Sequence, residues 1–409
     1  MKKVIVLGAG YGALAVVKAL GQQDIPVVLL YTAWDDHAYH SRFVSERVKI
    51  PNPMDDSNGL LHLLMETQED WDGALLIPTL DEYIIFVSQN RDKLKERYVF
   101  TTQSWDIVDR IINKDRLYPQ AQKNDVPTPR FFLPDSIEFL NEHKEEFSYP
   151  CILKPNETHK FDRLYGKKNF VVHDFQNLME LFTDTQKNGL EMMISEIIPG
   201  DDSTIYSYRS YIDSQGEILG EMCTQKLRQY PSGFGQAAVL KTTTLMPEVR
   251  EQALRLLRSL SFHGQSIVEF RWDHRDNQYK LMEINSRPGV TEWLEVKAGM
   301  NFPYMTYLDL VENIRTPSPT YRKELYWIHN YWEVINFFSS LRRGNLNLYE
   351  FLKPYWQEKV FVVPFSDDPV LFLFETYSNF KRALRKNRKS FASESEVNSK
   401  LQSGFHLNH

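Results

Sequence analysis

Cysteine is nearly absent from this chain: among 409 residues there are two, Cys151 and Cys223. Each sits in an apolar, strand-like run, so a disulfide framework is not expected and a reducing compartment is the simpler expectation. An excess of positive charge is also missing. The 48 Lys+Arg stand against 54 Asp+Glu, a formal charge of -6, which argues against a chain whose work is to coat nucleic acid. No apolar run approaches the roughly 20 residues of a membrane-spanning helix. The opening run Val4-Ile5-Val6-Leu7 ends at Gly8, too soon for a secretory signal core, and a cytoplasmic enzyme is the expectation.

What is present has globular balance: 42 % hydrophobic and 25 % charged residues can bury a sizeable interior. The length calls for two or three packed units. Up to about residue 100, short apolar runs (Val4 to Leu7, Val27 to Leu30, Ala74 to Ile77) alternate with amphipathic stretches, the pattern of a parallel sheet flanked by helices. A helical segment from Asn113 to Asn124 is closed by Pro127 and Pro129. Longer strands follow, at Tyr149 to Lys154, Met192 to Ile197, Ile205 to Ile212 and Glu217 to Leu227. They read as antiparallel, an α+β unit with helices at Asp174 to Lys187 and Pro247 to Ser259. Beyond Pro317 a region rich in Tyr, Trp and Phe suggests a small closing domain, and the end of the chain reads as a polar tail.

Gly8-Ala9-Gly10-Tyr11-Gly12 follows the first strand, where a dinucleotide fingerprint would lie. Three readings stay open: a tight strand-to-helix turn, an anion cradle at the helix N-terminus, and a nicotinamide site. The last requires an acid at the end of the second strand, which instead ends Leu29-Leu30-Tyr31.

The residues that carry chemistry lie downstream. Val268-Glu269-Phe270 and Met282-Glu283-Ile284-Asn285 belong to two strands joined by the polar turn Asp273 to Gln278. Antiparallel pairing lets Glu269 face Glu283, and period-two alternation puts Asn285 beside Glu283. Carboxylates this close repel unless a hard cation lies between them, and magnesium, which keeps positions open for phosphates, is the expected ion. Lys154 ends the apolar run Cys151-Ile152-Leu153, where a buried ammonium needs an anion such as a phosphate. The polar segment from Asn156 to Asn169, with Arg163, Gly166, Lys167 and Lys168, could fold over phosphates, although it lacks the glycine density of a P-loop.

Taken in order, Lys114, Cys151-Ile152-Leu153-Lys154-Pro155, Ser195-Glu196-Ile197-Ile198-Pro199-Gly200, Val268-Glu269-Phe270 and Glu283-Ile284-Asn285-Ser286-Arg287 resemble the motif series of the ATP-grasp superfamily. The resemblance covers roughly Met1 to Tyr307. Lys226 to Pro231, with Gly233 and Gly235, and Pro78 to Glu82 are similar to carboxylate-amine ligases of the D-aspartate ligase kind. The resemblance implies a pre-ATP-grasp domain at 1–112 and an ATP-grasp module at 113–316 with a lid at about 130–198, to which composition adds an extension at 317–390 and a flexible tail at 391–409. It also implies ATP with Mg2+, or Mn2+ in its place. Lys114 and Lys154 would hold phosphates, Glu196 and Ile198 would meet adenine, and Asp202 would take the ribose. Lys226 or Arg228 would reach the γ-phosphate, Glu269, Glu283 and Asn285 would bind the metal, and Arg287 would steady the phosphorylated intermediate.

The expected activity is amide formation through an acyl phosphate, with a small-molecule carboxylate and amine as partners, no nucleic acid, and a homodimer allowed for. A nicotinamide oxidoreductase and a non-catalytic nucleotide-binding protein are the competing readings. The substrates are not legible: Arg42, Asp81 and Glu82 fall near strand ends where ligands gather, but equally where helices are capped. The basic cluster Lys381, Arg382, Arg385, Lys386, Arg388 and Lys389 reads either as a solvated helix end or as an attraction to anionic lipid or an acidic partner.

Overall fold

A computed structural model describes residues 1–379 apart from 34–35, 67–68, 157, 168, 232, 234, 345 and 365–366. The basic cluster and the expected tail lie outside the described residues, as does Lys168 of the polar segment. Strands β1 (Val4–Leu7), β2 (Val27–Tyr31), β3 (Glu46–Lys49) and β4 (Leu75–Pro78) form a parallel sheet in the order β3-β2-β1-β4. β1 and β4 are buried throughout and β2 in all but its last residue. Burial on both faces is why these strands read as unbroken apolar runs. At the edge, β3 (Glu-Arg-Val-Lys) stays half exposed, as charged edge strands do.

A second, antiparallel sheet contains β5 (Phe131–Phe132), β6 (Cys151–Pro155), β7 (Phe170–Val172) and β8 (Met192–Glu196), in the order β5-β8-β6-β7. The helix Phe175–Lys187 covers it, burying Leu178 and Phe182; Asp174 caps the helix by accepting from the Asn177 amide. The polar segment after Lys154 is not all loop, because Thr158–Tyr165 is helical.

The largest sheet holds β9 (Ile205–Ile212), β10 (Ile218–Tyr230), β11 (Gln236–Thr243), β12 (Gly264–Asp273), β13 (Gln278–Asn285), β14 (Tyr326–Ile328) and β15 (Lys359–Phe361), in the order β13-β12-β9-β10-β11-β14-β15. The aromatic region thus adds two strands to this sheet. β14 pairs antiparallel with β11 and β15 parallel with β14, which covers the β11 edge and buries Val239, Tyr326 and Ile328 together. One face of this sheet packs on the helix Pro247–Ser259, whose first turn carries Pro247 and Glu248 and whose last carries Arg258. Val249, Ala253, Leu256 and Leu257 of that helix meet Val268, Phe270, Leu281 and Ile284. The other face carries Arg209, Lys226, Glu269, Glu283 and Asn285, and beside them Tyr211, Met222, Leu240 and Trp327, which pack in one cluster with the parallel sheet.

Candidate active site

The register of β12 and β13 sets the centre of the site. Glu269 is the direct partner of Glu283, and Ile267 lies opposite Asn285. Asn285 Nδ2 donates to Glu283 Oε1 at 3.0 Å. A bulge at Met282 makes this arrangement compatible with the core: pairing passes from Glu269–Glu283 to Phe270–Leu281. Strict alternation would put Leu281 on the same side as Glu283. The extra residue returns Leu281 to the apolar face, where it is fully buried.

Cations converge on the two acids from three other elements. Lys226, on β10, approaches Glu269 at 2.9 Å. Lys114 reaches within 3.6 Å of Glu283 from the first turn of the helix Lys114–Lys123, a position where the helix dipole disfavours a cation. Lys154, at the end of β6, faces Lys114 and Glu283; burial, and then the Lys114 charge, push its ammonium down to about 7, with Glu283 opposing. Arg287 grips both carboxylate oxygens of Asp81 at 2.6 and 3.1 Å, and so joins the β13 end to the parallel sheet. The Glu283 side chain is 43 % exposed. Burial raises its affinity for a proton, but Lys114, Asn285, Lys226 and Arg287 outweigh that and hold it well below the ordinary carboxylate range.

The donors fit a hard cation: two carboxylates and an amide, paired strand to strand and already needing positive charge. Among the described residues no three His, Cys, Asp or Glu side chains converge as a metal-holding group, so Asn285 would be the third ligand. The lysines around the acids are as suited to phosphate oxygens as to carboxylates. Lys114, Lys154, Lys226, Glu269, Glu283, Asn285 and Arg287 thus share one cleft.

Four residues expected at the site are engaged elsewhere. Regular alternation would put Arg228 on the same face as Lys226, but the pairing of β10 with β11 shifts register on both sides of Arg228. Its guanidinium donates to the buried Glu333 at 2.5 and 2.9 Å. It is a link to the C-terminal region, which leaves Lys226, of the two residues expected to reach a γ-phosphate, beside the two acids. Glu196 accepts from the Arg130 amide and from Arg275, each at 2.8 Å, so its carboxylate ties strand ends together. Asp202 accepts from the backbone and side-chain nitrogens of Gln229 at 2.8 and 2.7 Å. Ile198 is buried just beyond β8.

Sequence reasoning missed a second set of charges behind the cluster. Arg209, on β9, is 4 % exposed, donates to Thr291 and contacts Glu295. Glu292 is fully buried and accepts from Gln265 Nε2 at 2.6 Å; burial pushes its carboxyl up to about 7. The available signal was a cation inside the strand Ile205–Ile212, and acids two and five residues beyond Val290, on either side of Trp293 and Leu294.

The glycine-rich turn has a structural use. Gly8 has φ +92°, and a Cβ on Gly12 would stand 3.1 Å from the Pro288 carbonyl oxygen and 3.3 Å from that of Gly289. Gly12 therefore admits the loop that follows Asn285, where a dinucleotide fingerprint would admit a pyrophosphate. At the end of β2, Tyr31 packs against Tyr39 at 4.7 Å. A depression of about 500 Å³ with Tyr206, Trp272 and Tyr279 in its lining includes none of the cluster residues.

Solved structures share this arrangement of sheets. The L-amino acid ligase of Bacillus licheniformis aligns over 78 % of each chain with a TM-score of 0.58 and 16 % identity. N5-carboxyaminoimidazole ribonucleotide synthetase, solved as its ADP complex, aligns over 84 % of this chain and 85 % of its own with a TM-score of 0.62 and 15 % identity. The fold is that of the ATP-grasp ligases. In sequence, the chain is 25 % identical over 259 residues to D-aspartate ligase of Enterococcus faecium, covering 60 % of this chain and 61 % of the relative. The match thus spans about three-fifths of that relative's length. No family model matches the chain.

Proposed function

We propose that this protein is an ATP-dependent carboxylate-amine ligase, forming an amide or peptide bond through an acyl phosphate and releasing ADP and phosphate. One observation carries the reading: Glu269 and Glu283 are paired across neighbouring strands beside Asn285, with Lys114, Lys154, Lys226 and Arg287 brought to them. Phosphoryl transfer needs little from a protein beyond positioning and charge stabilisation, and this cleft has the groups for both. Glu269, Glu283 and Asn285 would hold magnesium, or manganese in its place, which when bound supplies Lewis-acid neutralisation of phosphate charge. Lys114 and Lys154 hold phosphate oxygens, and an anion against Lys154 restores the proton that burial disfavours. Lys226 shares its charge between Glu269 and the transferring group. Arg287, released from Asp81, orients the substrate carboxylate and stabilises the oxyanion formed when the amine attacks.

The similarity to D-aspartate ligase and L-amino acid ligase favours amino acids or their derivatives as substrates. The proposed units are those of the ATP-grasp plan: a pre-ATP-grasp domain at 1–112, the ATP-grasp module at 113–316 with its lid at about 130–198, and an extension at 317–390. In this plan Ile198 and the strand end at Glu196 border adenine and Asp202 borders ribose, the last two after giving up their present partners. Among the described residues no helix is long and apolar enough to cross a membrane.

ADP release measured with pooled carboxylates and pooled amines tests the reading. Release should require one member of each pool together with magnesium and ATP. If no combination releases ADP while NAD or NADP raises the melting temperature, the proposal fails and the oxidoreductase reading replaces it.

A further inference from the structure

The helix Asn330–Arg343 is turned inside out. Its buried side chains are polar: Glu333, held by Arg228, and Asn336, which donates to the Gln229 carbonyl. Its outward face is apolar, with Val334, Ile335, Phe338 and Leu341 exposed by 57, 43, 55 and 54 %. Their spacing of one, four and seven residues places them on one stripe. A helix facing water shows the opposite pattern.

The neighbouring segments continue this surface. Phe337 packs against Phe351 at 5.5 Å, and just beyond, Tyr349 and Trp356 lie 5.5 Å apart, each more than 60 % exposed. On the other side Tyr331 reaches Thr376 in helical residues 369–379, which expose Val370 and Leu373. Ten of the sixteen exposed large hydrophobic residues among those described fall between Val334 and Tyr377. Monomers seldom leave so much apolar surface in one region without a use for it.

We infer that this face docks on an anionic lipid surface. Its charge selects that occupant. Arg342 and Arg343 end the helix, both exposed, and the sequence directly after residue 379 supplies Lys381, Arg382, Arg385, Lys386, Arg388 and Lys389 with no acid before Glu394, in a chain of net charge -6. Apolar stripe, interfacial Tyr and Trp, and adjoining cations together describe a segment that lies in a headgroup layer. A second copy of the chain fits less well, because a two-fold axis through this face would bring the exposed Arg342 and Arg343 of both copies together. The inference does not depend on the ligase reading.

Co-sedimentation of the full chain with vesicles tests it. The protein should pellet with phosphatidylserine-rich vesicles and not with phosphatidylcholine alone, and release as salt rises. The double substitution Ile335→Ser with Phe338→Ser, and separately the triple substitution Arg385→Glu, Lys386→Glu and Arg388→Glu, should each lower partitioning roughly tenfold or more, with melting temperature and ADP release unchanged. Recovery of the parent protein in the supernatant with both vesicle types overturns the inference. So does equal pelleting of parent and variants, or a solution dimer abolished by the serine pair in the absence of lipid. Duplex DNA competing as well as the anionic vesicles would reassign the basic run to nucleic acid and likewise overturn it.

Discussion

The two faces of the large sheet use the same strands for opposite purposes. On β12 and β13, Val268, Phe270, Leu281 and Ile284 point to the helix Pro247–Ser259, while Glu269, Glu283 and Asn285 point to the cleft. The apolar face gains its stability from burial, worth about 1.5–3 kcal/mol for a side chain such as Phe270. The charged face is held by complementary pairs whose solvation cost offsets much of their attraction. Stability and chemistry are thus one residue apart along each strand, and substitutions on the two faces should separate cleanly.

The largest expected effect tests that separation directly. Glu283→Gln should lower ADP release by about 10²–10³-fold, roughly 3–4 kcal/mol of transition-state stabilisation, because the proposed metal ligand would become neutral at constant volume. Its melting temperature should stay close to the parent's. A variant turning over ATP normally would remove Glu283 from the site. On the opposite face, Phe270→Ala should cost about 3–5 kcal/mol of stability in denaturant titrations, with ADP release per folded molecule unchanged. A loss of activity without unfolding would break the comparison.

Arg228 sharpens it further, since it lies two residues from Lys226 yet on the other side. Arg228→Ala leaves the buried Glu333 unpaired and should cost about 3 kcal/mol, while kcat falls only a few-fold. Arg228→Met combined with Glu333→Gln should recover most of the stability, because both charges are then gone. A large drop in kcat with stability intact would return Arg228 to the phosphate site.

The smallest effect depends on pH. Glu292, fully buried, has its carboxyl pushed from an ordinary 4.5 up to about 7, so the folded state holds a proton that the unfolded chain has released. Folding then takes up a proton in that window, and stability falls as pH rises from about 4.5 to 7 before levelling off. Glu292→Gln keeps an acceptor for Gln265 and removes the titration. Thermal melts should show the variant gaining on the parent between pH 5 and pH 8, by on the order of 2–3 kcal/mol. A constant difference across that range would mean that Glu292 stays ionised, held by Arg209.

Much of the cleft was legible because an acid inside an apolar strand is rare enough to be informative. Glu269, Glu283 and the turn between their strands could be paired from the chain alone, and Lys154 announced itself in the same way after Cys151-Ile152-Leu153. Arg228 could not be placed. Period two predicts one face for residues 226 and 228, and the irregularity on both sides of Arg228 is decided by how β10 must meet β11. The Glu292–Gln265 contact, 27 residues apart, has no local signature either.

Taken by itself, the order of residues determined what short-range physics controls: the apolar runs of β1, β2 and β4, the alternation along β12, the glycines where the chain turns tightly, and the oxygen and ammonium groups available for a metal and phosphates. Tertiary structure alone decided which of those groups meet. It brought Lys114, Lys154 and Lys226 from three separate elements to two acids, attached β14 and β15 to the edge of the large sheet, and turned Arg228 away from the cleft. Such pairings depend on closing long loops and on filling the core without voids, both set by the whole chain at once, so no local pattern records them.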